Sequence, residues 1–232
     1  MPPKFIALTL NKLQPHAARN WFKTIKHLMQ YAVSVELVRI DPTRDIKLPK
    51  ASSKEHRPWT DAEIAAYEAK HPIGSKARLA FALGYYTAQR RSDVVRMGRQ
   101  HVAGNFIRVV QDKTGATLEI PLHPRLKTII DAAAGDLLFL VTKTGKPFSA
   151  DDLGHQFQRW CRDAGLPPSC HFHGLRYSAA KMLAEAGCTP HQIAAITGHA
   201  TLAMVQKYSK AAEQKRLATE AMAKLLENAR AT

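Results

Sequence analysis

Four side chains capable of proton transfer, anion binding or nucleophilic attack lie within one segment of this 232-residue sequence. The segment HGLRYSAAKMLAEAGCTPHQIAAITGHATLAMVQKYS contains His173, Arg176, His199 and Tyr208, at intervals of three, twenty-three and nine residues. Histidine exchanges protons near neutral pH, arginine binds anionic oxygens through a planar fork of donors, and a tyrosine hydroxyl can act as a nucleophile. Either these residues decorate ordinary helices, or the fold brings them to one point.

Two earlier segments supply further candidates. The segment TAQRRSDV places Arg90 and Arg91 at the end of an apolar helix, followed by a helix start at Ser92-Asp93. Lys113 lies in a Gly-containing turn between two β-rich runs, NFIRVVQ and TLEIPLH, which predict a hairpin. Taken singly, each candidate has a plainer interpretation: the arginines as a solvated helix end, Lys113 as a turn lysine, and the histidines and tyrosine as ordinary helix residues.

The order and spacing of these motifs resemble the tyrosine recombinases, also called the phage integrase family. The resemblance extends over residues 14–212, and its specific part is the catalytic domain. The motifs that carry it are Arg90 with Ser92-Asp93, Lys113 in the hairpin, His173-Gly174-Leu175-Arg176, Gly198-His199 and Tyr208. A lone His-x-x-Arg motif is weak evidence for this family. Residues placed independently on unrelated helices, however, would have no reason to reproduce five motifs in this order. The joint interpretation is therefore favoured, with Arg91 and His171 left outside it.

The resemblance implies an enzyme that cuts and rejoins DNA through a 3′-phosphotyrosine intermediate, without a metal ion, ATP or any other cofactor. It implies that Tyr208 is the nucleophile and that Arg90 and Arg176 clamp the scissile phosphate. Lys113 is then the general acid for the leaving 5′-oxygen. These residue types suit the reaction, because the pentacoordinate transition state gathers negative charge that two permanently charged guanidinium groups can stabilise.

Three more roles follow from the resemblance. His173 is expected to act as an acid or base near the tyrosine, since its ordinary pKa lies near neutrality. His199 is expected to donate a hydrogen bond to the phosphate, and Asp93 to orient its neighbours rather than touch DNA. The sequence departs from the family pattern at Tyr177, where many relatives have another histidine, and at Gln89, which replaces a small apolar residue. Neither position carries chemistry in this interpretation.

Composition independently favours a nucleic acid as partner. Lys and Arg total 34 against 19 Asp and Glu, a net charge of +15, while 45% hydrophobic residues fit a globular protein. Three cysteines form no disulfide framework, and neither a membrane span nor a secretion signal is evident, so we expect a bacterial cytoplasmic protein associated with the nucleoid. The run Cys170-His171-Phe172-His173 suggests a metal site but lacks a second ligand cluster, so no metal is expected.

The sequence predicts two domains. Residues 1–40 read as a partial core-binding helical segment, residues 41–57 as a linker, and residues 58–232 as the catalytic domain. A helix opens at Pro15, with one apolar face formed by Trp21, Ile25, Leu28, Met29 and Ala32. About 40 residues allow one long helix and little more, so the core-binding domain is expected to be shortened.

The catalytic domain is predicted to be mainly α-helical with a small antiparallel β-sheet. Thr60-Asp61-Ala62-Glu63 matches a capping box, and residues 75–89 read as a buried helix. Residues 150–165 form an amphipathic pattern, and further helices start at Thr189-Pro190 and at Thr201. The last helix, about 210–229, has a narrow apolar stripe and is expected to pack against a neighbouring protomer.

The favoured function is site-specific recombination, for integration or excision of a prophage or other mobile element. Its partners would be double-stranded DNA, three further copies of the chain in a tetramer on DNA, and an accessory directionality factor. A chromosome-dimer resolvase or a type IB topoisomerase-like activity would share all the catalytic residues. A truncated, inactive DNA-binding remnant is the second class, and a structural helical domain would leave the charge and the ordered motifs unexplained.

Overall fold

The computed structural model describes residues 3–48, 57–133 and 137–231, apart from the side chains of residues 207–209, 211–213, 215 and 227–231. The chain divides into two compact units, residues 1–55 and 56–232. The described helices are α1 (Pro3–Asn11), α2 (Pro15–Ser34), α3 (Asp61–Lys70), α4 (Lys76–Thr87), α5 (Arg91–Val94), α6 (Pro124–Asp131), α7 (Ala150–Asp163), α8 (Phe172–Glu185), α9 (Pro190–Thr197) and α10 (Leu202–Ala231). The strands are β1 (Val102–Ala103), β2 (Phe106–Val110) and β3 (Thr117–Pro121). The predicted fold class, mainly α-helical with a small antiparallel sheet, is confirmed.

The first unit contains two helices where the sequence predicted one long helix. Ile6 and Leu10 of α1 are buried against α2, which explains why this short segment is helical: alone, nine residues are too few for a stable helix in water. Ile46 and Leu48, in the segment predicted to be linker, pack on the same small core. Residues 49–56 of that predicted linker lie outside the described residues.

The predicted apolar face of α2 is divided in the structure. Ile25 packs on the small core and Ala32 is buried, whereas Trp21 and Leu28 are 60% and 57% exposed. The described residues therefore bury only part of the predicted apolar face and leave Trp21 and Leu28 exposed. The nine residues of α1 cover only a narrow stripe of the longer helix, and this leaves the adjacent stripe uncovered within the described part of this unit.

The second unit contains the predicted hairpin and one additional short strand. β2 and β3 pair antiparallel, from Phe106 opposite Pro121 to Val110 opposite Thr117, and β1 joins the free side of β2. Ile107 and Val109 point into the core while their neighbours are exposed, which is the period-two pattern of a half-buried strand. One face of the hairpin is thus anchored in the core, and the turn between β2 and β3 lies beyond the ends of these strands.

The helical core of this unit is built around α4, most of whose residues are buried. The helix approaches α8 closely at Gly84, where an added Cβ would lie 2.7 Å from Cζ of Phe172. The predicted capping box holds the start of α3: the Thr60 hydroxyl accepts from the backbone of Glu63, whose carboxylate accepts from the backbone of Thr60. The close approach at Gly84 packs α4 directly against α8, the helix that carries His173 and Arg176.

Helix α10 begins as part of the domain and then leaves it. Val205, in its first turns, is buried in a small cluster with Ala180 and Ala184 of α8 and Ile193 of α9. The four large apolar residues described in its outer part, Leu217, Met222, Leu225 and Leu226, are each more than half exposed. The first turns of α10 therefore pack in the domain, and its outer part presents an apolar surface.

Candidate active site

The site begins where α4 ends in an unusual backbone conformation. Ala88 is fully buried and adopts a left-handed conformation, with φ of 55° and ψ of 23°. This conformation costs an L-residue roughly 1–2 kcal/mol, and is normally taken by glycine. The carbonyl of Ala88 accepts a hydrogen bond of 2.7 Å from Nη1 of Arg176. The sharp turn at Ala88 directs the next residues, Gln89 and Arg90, toward the helix that carries Arg176.

Arg176 is almost completely buried in α8, with 3% of its surface exposed. Its Nη1 binds the Ala88 carbonyl, and its Nη2 lies 3.0 Å from Nε2 of His199. A guanidinium group holds its charge at any physiological pH and can only donate hydrogen bonds. The two contacts therefore fix a permanent positive charge in one orientation, and they bring the Arg176 and His199 motifs together.

His199 follows α9, which ends at Gly198 in the left-handed conformation with φ of 68°. Because Arg176 can only donate, Nε2 of His199 must accept, and the ring proton therefore resides on Nδ1. Nδ1 lies 2.7 Å from the Thr197 hydroxyl, which itself donates to the carbonyl of Ile193. Burial and the nearby charges of Arg176, Arg90 and His173 lower the pKa of His199 to about 4. The imidazole is thus neutral at pH 7 in the absence of an anion.

Arg90 is half-buried at the start of α5, and its Nη1 atom is buried without a hydrogen-bond partner among the described residues. Its backbone N–H donates to Oδ2 of Asp93 over 3.3 Å. Oδ1 of the same carboxylate accepts from the backbone N–H of Asp112 over 2.8 Å. The buried Asp93 therefore joins the Arg90 segment to the hairpin turn that contains Lys113.

Lys113 is exposed in the turn between β2 and β3. The turn is closed by two backbone hydrogen bonds, from Gln111 N–H to the Ala116 carbonyl and from Gly115 N–H to the Gln111 carbonyl. Gly115 takes φ of 68°, which this tight turn requires. The structure therefore places Lys113 on a short, well-closed turn that is tied at its neighbour Asp112 to the Arg90 segment.

His173 lies in the first turn of α8 and is partly buried. Its ring packs edge-to-face on Tyr177, with centroids 5.4 Å apart. His173 and Arg90 line one cleft of about 580 Å³, to which His171 also contributes. Arg91 borders this cleft too, where it forms an exposed ion pair of 2.7 Å with Asp151. The cleft is the open space next to the predicted phosphate-binding residues.

The structure therefore brings most of the predicted site residues together, with one position outside its description. Arg176 contacts His199, while Arg90 and His173 line one cleft, and the charges of all three basic neighbours act on His199. Lys113 lies on the adjoining hairpin turn. The backbone of Tyr208 lies within α10, three residues beyond the buried Val205, but its side chain belongs to the part that the structure does not describe.

Two glutamines that the sequence interpretation left without a role lie at the centre of this arrangement. Gln89 and Gln111 are each 1% exposed, and the Nε2 atom of Gln111 donates to Oε1 of Gln89 over 2.7 Å. A signal for Gln111 was present in the sequence. Ile107 and Val109 face the core at every second position, and Gln111 is the next residue in this alternation. The strand pattern therefore predicts a buried side chain at Gln111, although glutamine is polar.

The Cys170-His171-Phe172-His173 run does not gather metal ligands in the described structure. Within the described ranges, no three His, Cys, Asp or Glu side chains are grouped closely enough to hold a metal ion. The Sγ atom of Cys170 instead lies 3.7 Å from Nη2 of Arg57, and burial raises the pKa of its thiol to about 11. Among the helices in these ranges, none is both long and apolar enough to cross a membrane.

Comparison with known proteins places this geometry in a family. The chain is 26% identical over 174 residues to the integrase of Escherichia phage HK022, covering 68% of this chain and 48% of that protein. It is 24% identical over 208 residues to the tyrosine recombinase XerD of Ralstonia nicotianae, covering 82% of this chain and 67% of XerD. The chain thus spans about half the length of the HK022 integrase.

The fold is also found in solved structures. A lambda integrase (75–356) dimer bound to a COC′ core site superimposes with a TM-score of 0.78 at 24% identity, covering 90% of this chain and 80% of that one. The Tn1549 transposon integrase in complex with circular intermediate DNA gives a TM-score of 0.73 at 19% identity, covering 90% and 82%. The phage integrase family model matches residues 62–215, well over half of the sequence, and this chain therefore belongs to the phage integrase family of tyrosine recombinases.

Proposed function

We propose that this chain is a site-specific recombinase that cuts and rejoins DNA through a 3′-phosphotyrosine intermediate, and that it integrates or excises a prophage or other mobile element. The observation that carries the proposal is a pair of guanidinium groups, those of Arg90 and Arg176, whose charges both act on His199. Arg176 is fixed by the Ala88 carbonyl and His199, while Arg90 presents a buried Nη1 without a partner among the described residues.

The unpartnered atom of Arg90 supports an anionic ligand. A buried donor without an acceptor costs roughly 1–3 kcal/mol, and more when the group is charged. A non-bridging phosphate oxygen would supply that acceptor through a charge-assisted hydrogen bond. The pKa of His199 is lowered partly by the charges of Arg90 and Arg176, so both cations act on the same point. A phosphate there would neutralise the repulsion that now exists among these groups.

The proposed reaction is a pair of transesterifications. The Oη atom of Tyr208 attacks the scissile phosphorus, a new O–P bond forms, and the bond from phosphorus to the 5′-oxygen breaks. The proton of the phenol passes to a base, which we assign to His173, and the leaving 5′-oxygen takes a proton from Lys113. A free 5′-hydroxyl then attacks the phosphotyrosine and reverses these steps on a new partner strand. Because the phosphodiester energy is kept in the protein link, no ATP is required.

His199 enters this scheme through its Nε2 atom. In the structure without DNA, Nε2 accepts a hydrogen bond from Arg176, so it holds no proton to donate. The negative charge of a bound phosphate would raise the pKa of the imidazole, because an opposite charge favours the protonated form. A proton on Nε2 would then let His199 donate to a phosphate oxygen, while Arg176 Nη2 turns to the same anion.

The proposed partners follow from the same reaction. The net charge of +15 favours binding to double-stranded DNA, with an affinity that falls steeply as salt rises. Recombination cuts two strands at each site, so we infer a tetramer on DNA. One relative, lambda integrase, has been solved as a tetramer bound to a Holliday junction. The exposed apolar residues in the outer part of α10 are the surface that we assign to contact between protomers. A directionality factor would select between integration and excision.

The proposal is tested by trapping the covalent intermediate. Nicked fragments of genomic DNA from the encoding organism would be incubated with the chain in the presence of a chelator, denatured, and separated beside the Tyr208→Phe variant. We expect an adduct that survives denaturation, is lost in Tyr208→Phe, and yields the target site on sequencing. Salt-sensitive binding by both proteins without any adduct would overturn the enzymatic proposal and indicate the DNA-binding remnant.

A further inference from the structure

A buried polar contact of the second unit joins three segments of the candidate site. Gln89 precedes Arg90, Gln111 directly follows strand β2 next to the Lys113 turn, and Thr197, the last residue of α9, leads to His199. Gln111 Nε2 donates to Gln89 Oε1 over 2.7 Å and to the Thr197 carbonyl over 2.9 Å. Gln89 Nε2 donates to the carbonyls of Thr87 and Ile196, each over 2.8 Å.

Every hydrogen-bonding atom of the two amides has a partner. Each Nε2 uses both of its protons on two oxygen acceptors. Oε1 of Gln89 accepts from Gln111, and Oε1 of Gln111 accepts from the hydroxyl of Thr114 over 2.8 Å. Rotating either amide by half a turn would set an oxygen against carbonyl oxygens, so each side chain has a single allowed orientation. A satisfied buried network of this kind rigidifies the groups that it connects.

The surroundings leave no space for the pair to shift. An added Cβ at Gly198 would lie 2.4 Å from Nε2 of Gln111, so the chain passes this amide at a glycine. The same glycine adopts the left-handed conformation that ends α9 and directs His199 toward Arg176. The position of His199 therefore depends on the C-terminal end of α9, which is bonded directly to both glutamines.

The residues on both sides of Lys113 are anchored, one to Asp93 and the other to the glutamine pair. Asp112, before Lys113, donates its backbone N–H to the buried Asp93 carboxylate. Thr114, after Lys113, donates its hydroxyl to Gln111. One anchor leads to the Arg90 segment, and the other leads through Gln111 to the His199 loop. The exposed lysine is thus held between two anchored neighbours.

We propose that Gln89 and Gln111 form a positioning pair that fixes the Lys113 turn relative to Arg90 and His199. The pair touches no phosphate itself. It sets the place from which the Lys113 ammonium delivers its proton while the arginines hold the anion. This inference rests on the proposed function, because it assigns the general-acid step to Lys113.

The test uses two DNA substrates that differ in one atom. Both carry the site recovered by covalent trapping, one with the natural 5′-oxygen at the scissile bond and one with sulfur in its place. A thiolate is a far better leaving group than an alkoxide and needs no proton from a general acid. Gln111→Met keeps the side-chain length but removes its hydrogen bonds. Gln100→Met makes the same change at an exposed glutamine and is the matched control.

We expect Gln111→Met to form the adduct on the oxygen substrate on the order of 10- to 100-fold more slowly than the unmodified chain, since a displacement of about 1 Å can cost 10²-fold. On the sulfur substrate its rate should return to near that of the unmodified chain. Lys113→Ala should show the same pattern with a larger defect on oxygen, about 10²- to 10⁴-fold. Gln100→Met should match the unmodified chain on both substrates.

Two results would overturn the inference, and they differ from failure of the proposed function. Equal slowing of Gln111→Met on both substrates would indicate a general loss of structure, and an unchanged rate on oxygen would show that the pair positions nothing. Either result requires that the unmodified chain forms the adduct. Absence of any adduct from the unmodified chain would overturn the proposed function, and the assignment of the glutamine pair to catalysis with it.

Discussion

Helices α8 and α10 both carry a motif of the site, and the chain holds them in different ways. α8 packs against α4, α7, α9 and α10, and its Arg176 is 3% exposed with two of its donors already bonded. α10 carries Tyr208 and is anchored through Val205, after which Leu217, Met222, Leu225 and Leu226 are more than half exposed. The residues proposed to bind phosphate are thus preorganised within one chain, whereas the helix of the proposed nucleophile continues into a surface that the described remainder of this chain leaves uncovered.

The difference has a physical basis. Burying a guanidinium without hydrogen-bond partners is costly, and Arg176 already has partners for two of its donors in the Ala88 carbonyl and His199, so the segments around it are fixed without DNA. Apolar residues on the outside of a helix carry no such requirement, and a second protein surface can bury them later at a gain of about 25 cal/mol for each Å². The contrast implies that changes in α8 should impair chemistry, and that changes in the outer part of α10 should impair assembly.

The largest effect is expected at Arg176. Arg176→Ala should lower the rate of adduct formation by roughly 10³- to 10⁵-fold, the range for losing an arginine that stabilises a phosphoryl transition state. Arg176→Lys should recover little of the loss, because lysine lacks the planar fork that binds the Ala88 carbonyl and His199 together. Single-turnover trapping measures the rates, and equilibrium binding to the same DNA is the control. A rate within tenfold of the unmodified chain would remove Arg176 from the proposed mechanism.

A smaller and separate effect is expected from the outer part of α10. Deletion of residues 213–232 should weaken assembly on DNA while leaving binding of a single protomer nearly unchanged. The paired substitution Leu217→Ser with Leu225→Ser should reproduce this effect at about 10- to 100-fold, if each leucine contributes roughly 0.7–1.4 kcal/mol to the interface. Sedimentation of the protein–DNA complex measures assembly.

The same α10 variants provide their own control for folding. Both leucines are more than half exposed, so their replacement should change the free energy of unfolding by no more than about 0.5 kcal/mol. Thermal unfolding of the free protein checks this. An unchanged complex in sedimentation would show that the outer part of α10 does not join protomers. The proposed division of roles, with α8 for chemistry and the outer part of α10 for assembly, would then be wrong.

The smallest effect concerns a single proton on His199. Its pKa is about 4 in the free protein, below the ordinary value near 6.5, because burial and three neighbouring basic side chains disfavour the charged form. A bound phosphate should raise this pKa, so DNA binding should take up protons, and affinity should increase as pH falls from 8 to 6. Calorimetry in buffers of different ionisation enthalpy measures the uptake.

His199→Gln supplies the comparison for that measurement. The variant keeps a donor and an acceptor at this position but cannot titrate, so its proton uptake should be smaller by up to one proton per bound site. Equal uptake by both proteins would show that His199 stays neutral on DNA. In that case the hydrogen bond assigned to its Nε2 would have to come from a change of tautomer instead.

Much of the fold was predictable because local patterns coincide with tertiary requirements. The hairpin, the buried α4 and the capping box of α3 follow from strand alternation, an apolar run and the Thr60–Glu63 spacing, and all three are found in the structure. Helix α1 and the division of the apolar face of α2 were not predictable in this way. Both depend on which surfaces pack against each other. The helical periodicity of one segment does not indicate which partner covers its apolar face.

The sequence by itself determined the residue types of the site and their order, because each is carried by a short motif with local structure of its own. Their mutual geometry was decided by the tertiary structure. The left-handed turn at Ala88, the tautomer of His199 and the closed hydrogen-bond network of Gln89 and Gln111 all depend on contacts between segments far apart in the chain. Hydrogen bonds depend on distance and direction in space. The spacing along the sequence could therefore indicate which side chains form the site, but not which hydrogen bonds orient them.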